Sequence, residues 1–135
     1  MAFDGPLFTI PSAQANGDQS SNQFKCMKNN ATDLQYILCT ADGEYFDGVL
    51  YNDPDATGKA IEIVAAGVVR VEAGETLTAG DLWGTDASGL AKIVAATNTG
   101  ADVGDYVAGR VIVGAAVNEL ATVSIGIHTF KVESA

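Results

Sequence analysis

The chain has 135 residues, 47% of them hydrophobic, and carries 17 acidic against 7 basic residues, a net charge of −10. This length favours one domain with a buried core, and the hydrophobic content excludes disorder of the whole chain. The acidic balance argues against binding to nucleic acid, whose phosphates require clusters of Lys and Arg. It suits solubility or docking onto a basic partner surface. No apolar run approaches the ~18 residues of a membrane span, and no basic region precedes an apolar one at the N-terminus. We therefore expect neither a membrane segment nor a secretion signal.

The first eleven residues are apolar but contain two prolines, which favours an extended segment at a sheet edge or across another surface. The polar residues 12–22 that follow are typical of a flexible loop or linker. Two interpretations stay open. Residues 1–21 form an arm and linker that pack on a neighbouring subunit, or they form an ordinary first strand and a long loop. The side chains that would anchor an arm are Phe3, Leu7, Phe8 and Ile10.

The remaining chain, residues 22–135, is predicted to be a β-rich domain. Short apolar or alternating segments recur every eight to twelve residues, separated by turns rich in Gly, Asn and Asp, as in all-β barrels and sandwiches. Residues 87–96 have the best helical period, and it is weak. The predicted strands cover residues 23–28, 34–39, 49–51, 60–66, 68–73, 82–83, 90–95, 106–113 and 121–127.

Two adjacent β-branched segments, residues 60–66 and 68–73, are separated only by Gly67 and form the predicted centre. Within the second, Val69 and Val71 should face the core, and Arg70 and its neighbour at 72 should face solvent. The glycines at 74 and 80 predict a hook over residues 73–81, because glycine adopts positive φ without steric cost. Three apolar side chains in and beside this hook are predicted to lie near an intersubunit or partner contact: Leu77, Leu82 and Trp83.

The sequence gives little support to catalysis or metal binding. His128 is the one histidine, and a structural role near the end of a strand explains it better than a general base. The acidic pairs Asp53–Asp55 and Asp102–Asp105 lack the pattern of a calcium loop and are better explained by turn formation. Cys26 and Cys39 can form a disulfide, although the absence of a secretion signal favours free thiols. We expect no enzyme activity, no catalytic residues, no cofactor and no bound metal.

The order of motifs between about Phe24 and Val123 resembles a family of tailed-phage capsid cement, or decoration, proteins. The resemblance is carried by Gly48-Val-Leu-Tyr-Asn-Asp-Pro, by the stretch from Ala60 to Gly74, by Thr78-Ala-Gly-Asp-Leu with Asp86-Ala-Ser-Gly, and by Tyr106-Val-Ala-Gly-Arg-Val. The hook at residues 73–81 also looks like the β-clip element of the head decoration proteins of lambda-like phages. The same element occurs in sugar-processing and sialic-acid-type domains.

This resemblance implies a small all-β barrel or β-clip domain that trimerises on the outside of an icosahedral phage capsid. It would sit at or near threefold and quasi-threefold positions and clamp major capsid subunits, after synthesis in the host cytoplasm. Removing residues 1–11 should then weaken attachment and leave the domain folded. The alternative is a β-clip carbohydrate-binding module of a phage adhesin, which exposed aromatic side chains along one groove would favour. An enzyme would need His128 to converge with two carboxylates.

Overall fold

The computed structural model describes residues 2–95, 102–126 and 130–132, and these residues form strands, turns and bends with no helix. The predicted all-β fold is confirmed. Within the described residues the strands are β1 Leu7–Thr9, β2 Gln14–Ala15, β3 Cys26–Asn29, β4 Gln35–Leu38, β5 Gly48–Leu50, β6 Ile63–Glu72, β7 Leu82–Thr85, β8 Ala91–Ile93, β9 Tyr106–Val107, β10 Gly109–Val113, β11 Leu120–Ile125 and β12 Phe130–Lys131.

One large sheet contains ten of the described strands, in the order β2-β4-β3-β5-β6-β11-β10-β7-β8, with β1 also paired to β6. Strands β9 and β12 form a separate two-stranded sheet. Most pairs are antiparallel, but β2 and β4 are parallel. β6 is the organising strand because it pairs with β1, β5 and β11.

β6 is one ten-residue strand and not the two segments that the sequence suggests. Gly67 lies within it at φ 129°, a conformation that side chains rarely adopt. A Cβ at this position would collide with the carbonyl oxygen of Pro6, because β1 passes directly beside it. Gly67, which looks like an interruption in the sequence, is therefore the position at which β1 approaches β6 closely enough to exclude a side chain.

The core lies on the faces of β6, β7, β10 and β11. Val69 and Val71 are fully buried, as predicted, while Arg70 and Glu72, which alternate with them, are only partly exposed. The largest buried side chain is that of Trp83, whose ring packs against Phe46 with the centroids 5.6 Å apart. A second cluster, around Met27 and Leu50, lies beneath the N-terminal residues, and a third surrounds Val94, Val107 and Val132.

The N-terminal residues include a strand that pairs within their own chain. Residues 7–9 pair with β6, and Ile10 donates its backbone N–H to the carbonyl of Ile63 at 2.9 Å. Residues 12–22 include β2 and bury the side chains of Ala13 and Ala15. The structure thus docks residues 2–15 on the body of their own chain. Whether they also reach a neighbour stays a prediction.

The weak helical period at residues 87–96 does not give a helix. Its described part forms a turn and β8, in agreement with the alternative strand prediction. No helix suited to crossing a membrane occurs in the described ranges.

Candidate interaction surface

A polar clasp of Asp4, Arg70 and Tyr51 fixes the start of the chain to β6. The guanidinium of Arg70 binds both carboxylate oxygens of Asp4, through Nε at 3.0 Å and Nη2 at 3.2 Å. The Tyr51 hydroxyl donates to Asp4 Oδ1 at 2.7 Å and accepts the backbone N–H of Arg70 at 2.6 Å. The guanidinium carbon also lies 4.8 Å from the ring centroid of Phe24, a cation–π distance. Two aromatic rings and a bidentate ion pair therefore hold one short segment in place.

The electrostatics of the clasp favour the charged form of Asp4. Partial burial acts to raise the pKa of this carboxyl, but the hydrogen bonds from Arg70 and Tyr51 outweigh burial and the pKa lies below its ordinary value. Burial, with a further contribution from Asp4, raises the pKa of Tyr51 to about 12. The pair is therefore a neutral phenol donating to a carboxylate over the ordinary range of pH.

We call residues 2–10 the N-terminal segment. Its inward side chains are Leu7, which packs against the main core, and Ile10, which packs against the second cluster. Its outward side chains are Phe8, 67% exposed, and Phe3, 46% exposed. The backbone N–H of Phe3 is nevertheless held by the Thr122 hydroxyl at 2.7 Å. The segment thus displays two aromatic side chains on a fixed backbone.

This arrangement changes the expected effect of truncation. The sequence suggests that residues 1–11 can be removed from a folded domain. In the structure their loss would free backbone partners along β6, including the N–H and carbonyl of Val68, which bond to Pro6 and Gly5. It would also expose apolar side chains of the main core, which Leu7 covers, and of the second cluster, which Ile10 covers. Point substitutions at exposed positions are therefore a cleaner test of the segment's role than deletion.

The three residues predicted at the hook have different environments. Trp83 is fully buried and donates its indole Nε1–H to the carbonyl of Ser124 at 2.8 Å, so it is a core residue and not the surface anchor that the sequence suggests. Leu77 is also buried, where it exchanges backbone hydrogen bonds with Ala115 at 2.9 and 3.1 Å. Leu82 is half-buried against the third cluster. Among them, Leu82 alone presents side-chain surface to a partner.

The hook itself is closed onto the neighbouring sheet. Gly80 has φ 95° and donates its N–H to the carbonyl of Val111 at 2.8 Å. Arg110 donates to the Gly80 carbonyl at 2.8 Å, and Asp81 accepts the N–H of Thr78 at 3.0 Å. The predicted glycine hook is thus present and is joined to β10 by hydrogen bonds.

The acidic pairs are accounted for by ion pairs and turns. Asp102 and Asp105 both contact Lys92, which also binds Asp42 at 2.8 Å. Burial acts to lower the pKa of Lys92, but its carboxylate hydrogen bonds outweigh burial and raise that pKa well above its ordinary value. This cluster joins β8 to the segments before β5 and β9. A Cβ on Gly43 would collide with the Asp105 carboxylate, which shows how closely these segments approach.

An open polar groove lies beside the other acidic pair. Asp55 and Lys59 form an exposed ion pair at 2.5 Å on one side of it. None of its lining residues is aromatic: they are Asn52, Asp53, Pro54, Asp55, Lys59 and Ala60. In the described part of the chain no three His, Cys, Asp or Glu side chains converge as a metal site would require. The interpretation of His128 lies outside the described residues.

Sequence reasoning missed the clasp. Arg70 was expected to face solvent, and Asp4 precedes it by 66 positions, so no local pattern links the two. The one available signal is that a lone Arg within an apolar strand needs a counter-charge wherever it is partly covered.

No protein-family model matches the sequence, and no curated protein does. Among solved structures, the chain is similar to the N base of head fiber gp8.5 of bacteriophage phi29. The TM-score is 0.65 at 20% sequence identity, and the match covers 92% of this chain and 96% of that one. At this identity the likeness establishes a shared fold across nearly the whole of both chains.

Proposed function

We propose that this protein is a structural component of a bacteriophage head. It forms a homotrimer that binds the capsid exterior at threefold and quasi-threefold positions. Its role is to stabilise the shell, and it catalyses no reaction. The observation that carries the proposal is the fold shared with the base of a phage head fiber over 92% of this chain. The motif order that resembles capsid cement proteins supports the same class of role. The partner is the major capsid protein.

The N-terminal segment supplies the capsid-binding surface. Phe3 and Phe8 are exposed while the backbone between them is fixed by β6, Thr122 and the clasp. A rigid aromatic contributes a large contact area and loses little conformational entropy on binding. Enclosing such side chains in a partner therefore yields more affinity than enclosing flexible polar ones. This is the property that a small cement protein requires.

Charge and symmetry complete the proposal. A net charge of −10 directs the protein towards basic patches of the shell and makes the association rate sensitive to salt. A trimer bound through one subunit presents its other two sites at high effective concentration, so moderate individual contacts sum to strong retention.

The alternative of a carbohydrate-binding module receives less support. It requires exposed aromatic side chains along one groove, and the groove beside Asp55 and Lys59 has none among its lining residues. The exposed aromatic Tyr45 packs edge-to-face on Tyr106, at a centroid distance of 5.6 Å.

Binding to heads tests the proposal directly. Heads prepared from a phage whose copy of this gene is deleted are mixed with the purified protein and sedimented, and bound protein is quantified against free protein. We expect saturable binding at a fixed number of copies per head, in multiples of three, that weakens as salt rises. The matched control is the same protein with heads already carrying it. The absence of saturable binding, or equal binding to both kinds of head, would contradict the proposal.

A further inference from the structure

Two free thiols face each other across the first hairpin of the large sheet. β3 and β4 pair antiparallel with Met27 opposite Leu38, so the next position of the same register places Cys26 opposite Cys39. The backbone confirms this pairing, because the N–H of Cys39 donates to the carbonyl of Cys26 at 3.0 Å. Both side chains are free and fully buried.

The two thiols share one buried environment. Thr85, itself fully buried, lies beside both of them, and its hydroxyl donates to the carbonyl of Asp86 at 3.0 Å. Among the described residues, no group of three His, Cys, Asp or Glu side chains that could hold a metal ion includes them.

We propose that Cys26 and Cys39 are a latent disulfide site, a cross-strand pair that oxidises within the folded protein and fastens β3 to β4. Directly opposed residues of an antiparallel pair have Cβ atoms about 4.5–5.5 Å apart, against about 3.5–4.5 Å in a disulfide. A shift of the strands by about 1 Å closes this gap. In the reaction with a small disulfide such as oxidised glutathione, one protein sulfur attacks and releases a first thiol. The second protein sulfur then displaces the bound half, which leaves one protein disulfide and two glutathione thiols.

A turn controls access to the pair. The backbone N–H of Cys26 is bonded to the carbonyl of Gly89 at 2.7 Å, so the β7–β8 turn closes over this cysteine. Asp86 fixes that turn by accepting the N–H groups of Ser88 at 2.8 Å and Leu90 at 2.9 Å. Burial also raises the pKa of the Cys26 thiol and that of Cys39, the latter to about 12, which keeps the reactive thiolate scarce. Oxidation is therefore slow in the closed protein and becomes faster when the turn opens.

The test uses the full chain under native conditions with oxidised glutathione. Samples are quenched in acid, analysed by intact mass without reductant, and digested to identify linked peptides. We expect the loss of two hydrogen atoms, a peptide that links positions 26 and 39, and a thermal midpoint raised by about 10 °C, since the bond closes a loop of about 14 residues. Asp86→Ala should increase the oxidation rate about tenfold, because opening of the turn precedes attack.

Cys26→Ala and Cys39→Ala are the matched controls, and circular dichroism verifies that each is folded. Neither can form the internal bond. The proposal is overturned if the wild-type protein keeps two free thiols, if it yields only glutathione adducts or linked dimers, or if the internal disulfide appears only in protein that has lost cooperative unfolding. None of these outcomes depends on capsid binding, so the proposed function and this site fail or stand separately.

Discussion

Phe8→Ser tests whether the N-terminal segment is the capsid-binding surface. A phenylalanine side chain buries about 200 Å² when enclosed. Since 67% of Phe8 is exposed, about 130 Å² remains for a partner to cover. At about 25 cal/mol per Å², covering it contributes about 3 kcal/mol, which corresponds to about a 100-fold change in the affinity of one site.

The same exposure limits the effect of Phe8→Ser on folding. Most of the ring contacts solvent, so we expect a loss of about 1 kcal/mol or less in the free energy of unfolding, measured by chemical denaturation. Affinity is measured by sedimentation of the variant with heads over a range of protein concentrations. Val117→Ser is the control, because it removes a 50% exposed apolar side chain from the loop after β10. If Phe8→Ser binds heads as the wild-type protein does, or if Val117→Ser weakens binding equally, the assignment of this surface is wrong.

Three further substitutions, one of them paired with a matched control, test the structural basis of the fold. Trp83→Phe removes the donor to the Ser124 carbonyl and should cost about 2 kcal/mol of unfolding free energy in urea, whereas an unchanged midpoint would mean that this bond contributes nothing. Gly67→Ala should cost more than about 3 kcal/mol, because its Cβ meets the backbone of the N-terminal segment; Gly58→Ala, also at positive φ but with open space around it, should cost about 1 kcal/mol. Asp4→Asn should destabilise the protein at neutral pH and have no effect well below pH 3.8, the ordinary pKa of the group. A folded-state pKa below that value gives stability that is present above it and is lost as the pH falls through the lowered pKa, so a difference that persists in acid would refute the clasp.

The sequence was sufficient for the fold class and for the inward side of the main strands. Alternation at Val69 and Val71 identified the buried face of β6 because one side of that strand meets the core along its length. Glycine spacing identified the hook, although Leu77, predicted there near a contact, is buried. Alternation and glycine spacing involve residues that are neighbours in the chain, so the sequence alone reveals them.

What the sequence could not supply depends on contacts between distant segments. In the sequence Gly67 resembles a break between two strands. The structure shows that it has to be glycine because the chain leading into β1 passes where a Cβ would lie. Trp83 looks like a surface anchor until Ser124 and Phe46 enclose it. Arg70 similarly acquires a role only through Asp4, whose approach no periodicity encodes. Pairing between remote segments, more than any property of one residue, separated the correct predictions from the wrong ones.

Electron microscopy of heads with and without bound protein, at subunit resolution, tests the central claim most directly. The account predicts additional density on the outer surface at threefold and quasi-threefold positions, fitted by three copies of this fold with Phe3 and Phe8 against the major capsid protein. Density elsewhere on the particle, a single copy at each site, or identical maps with and without the protein would contradict it.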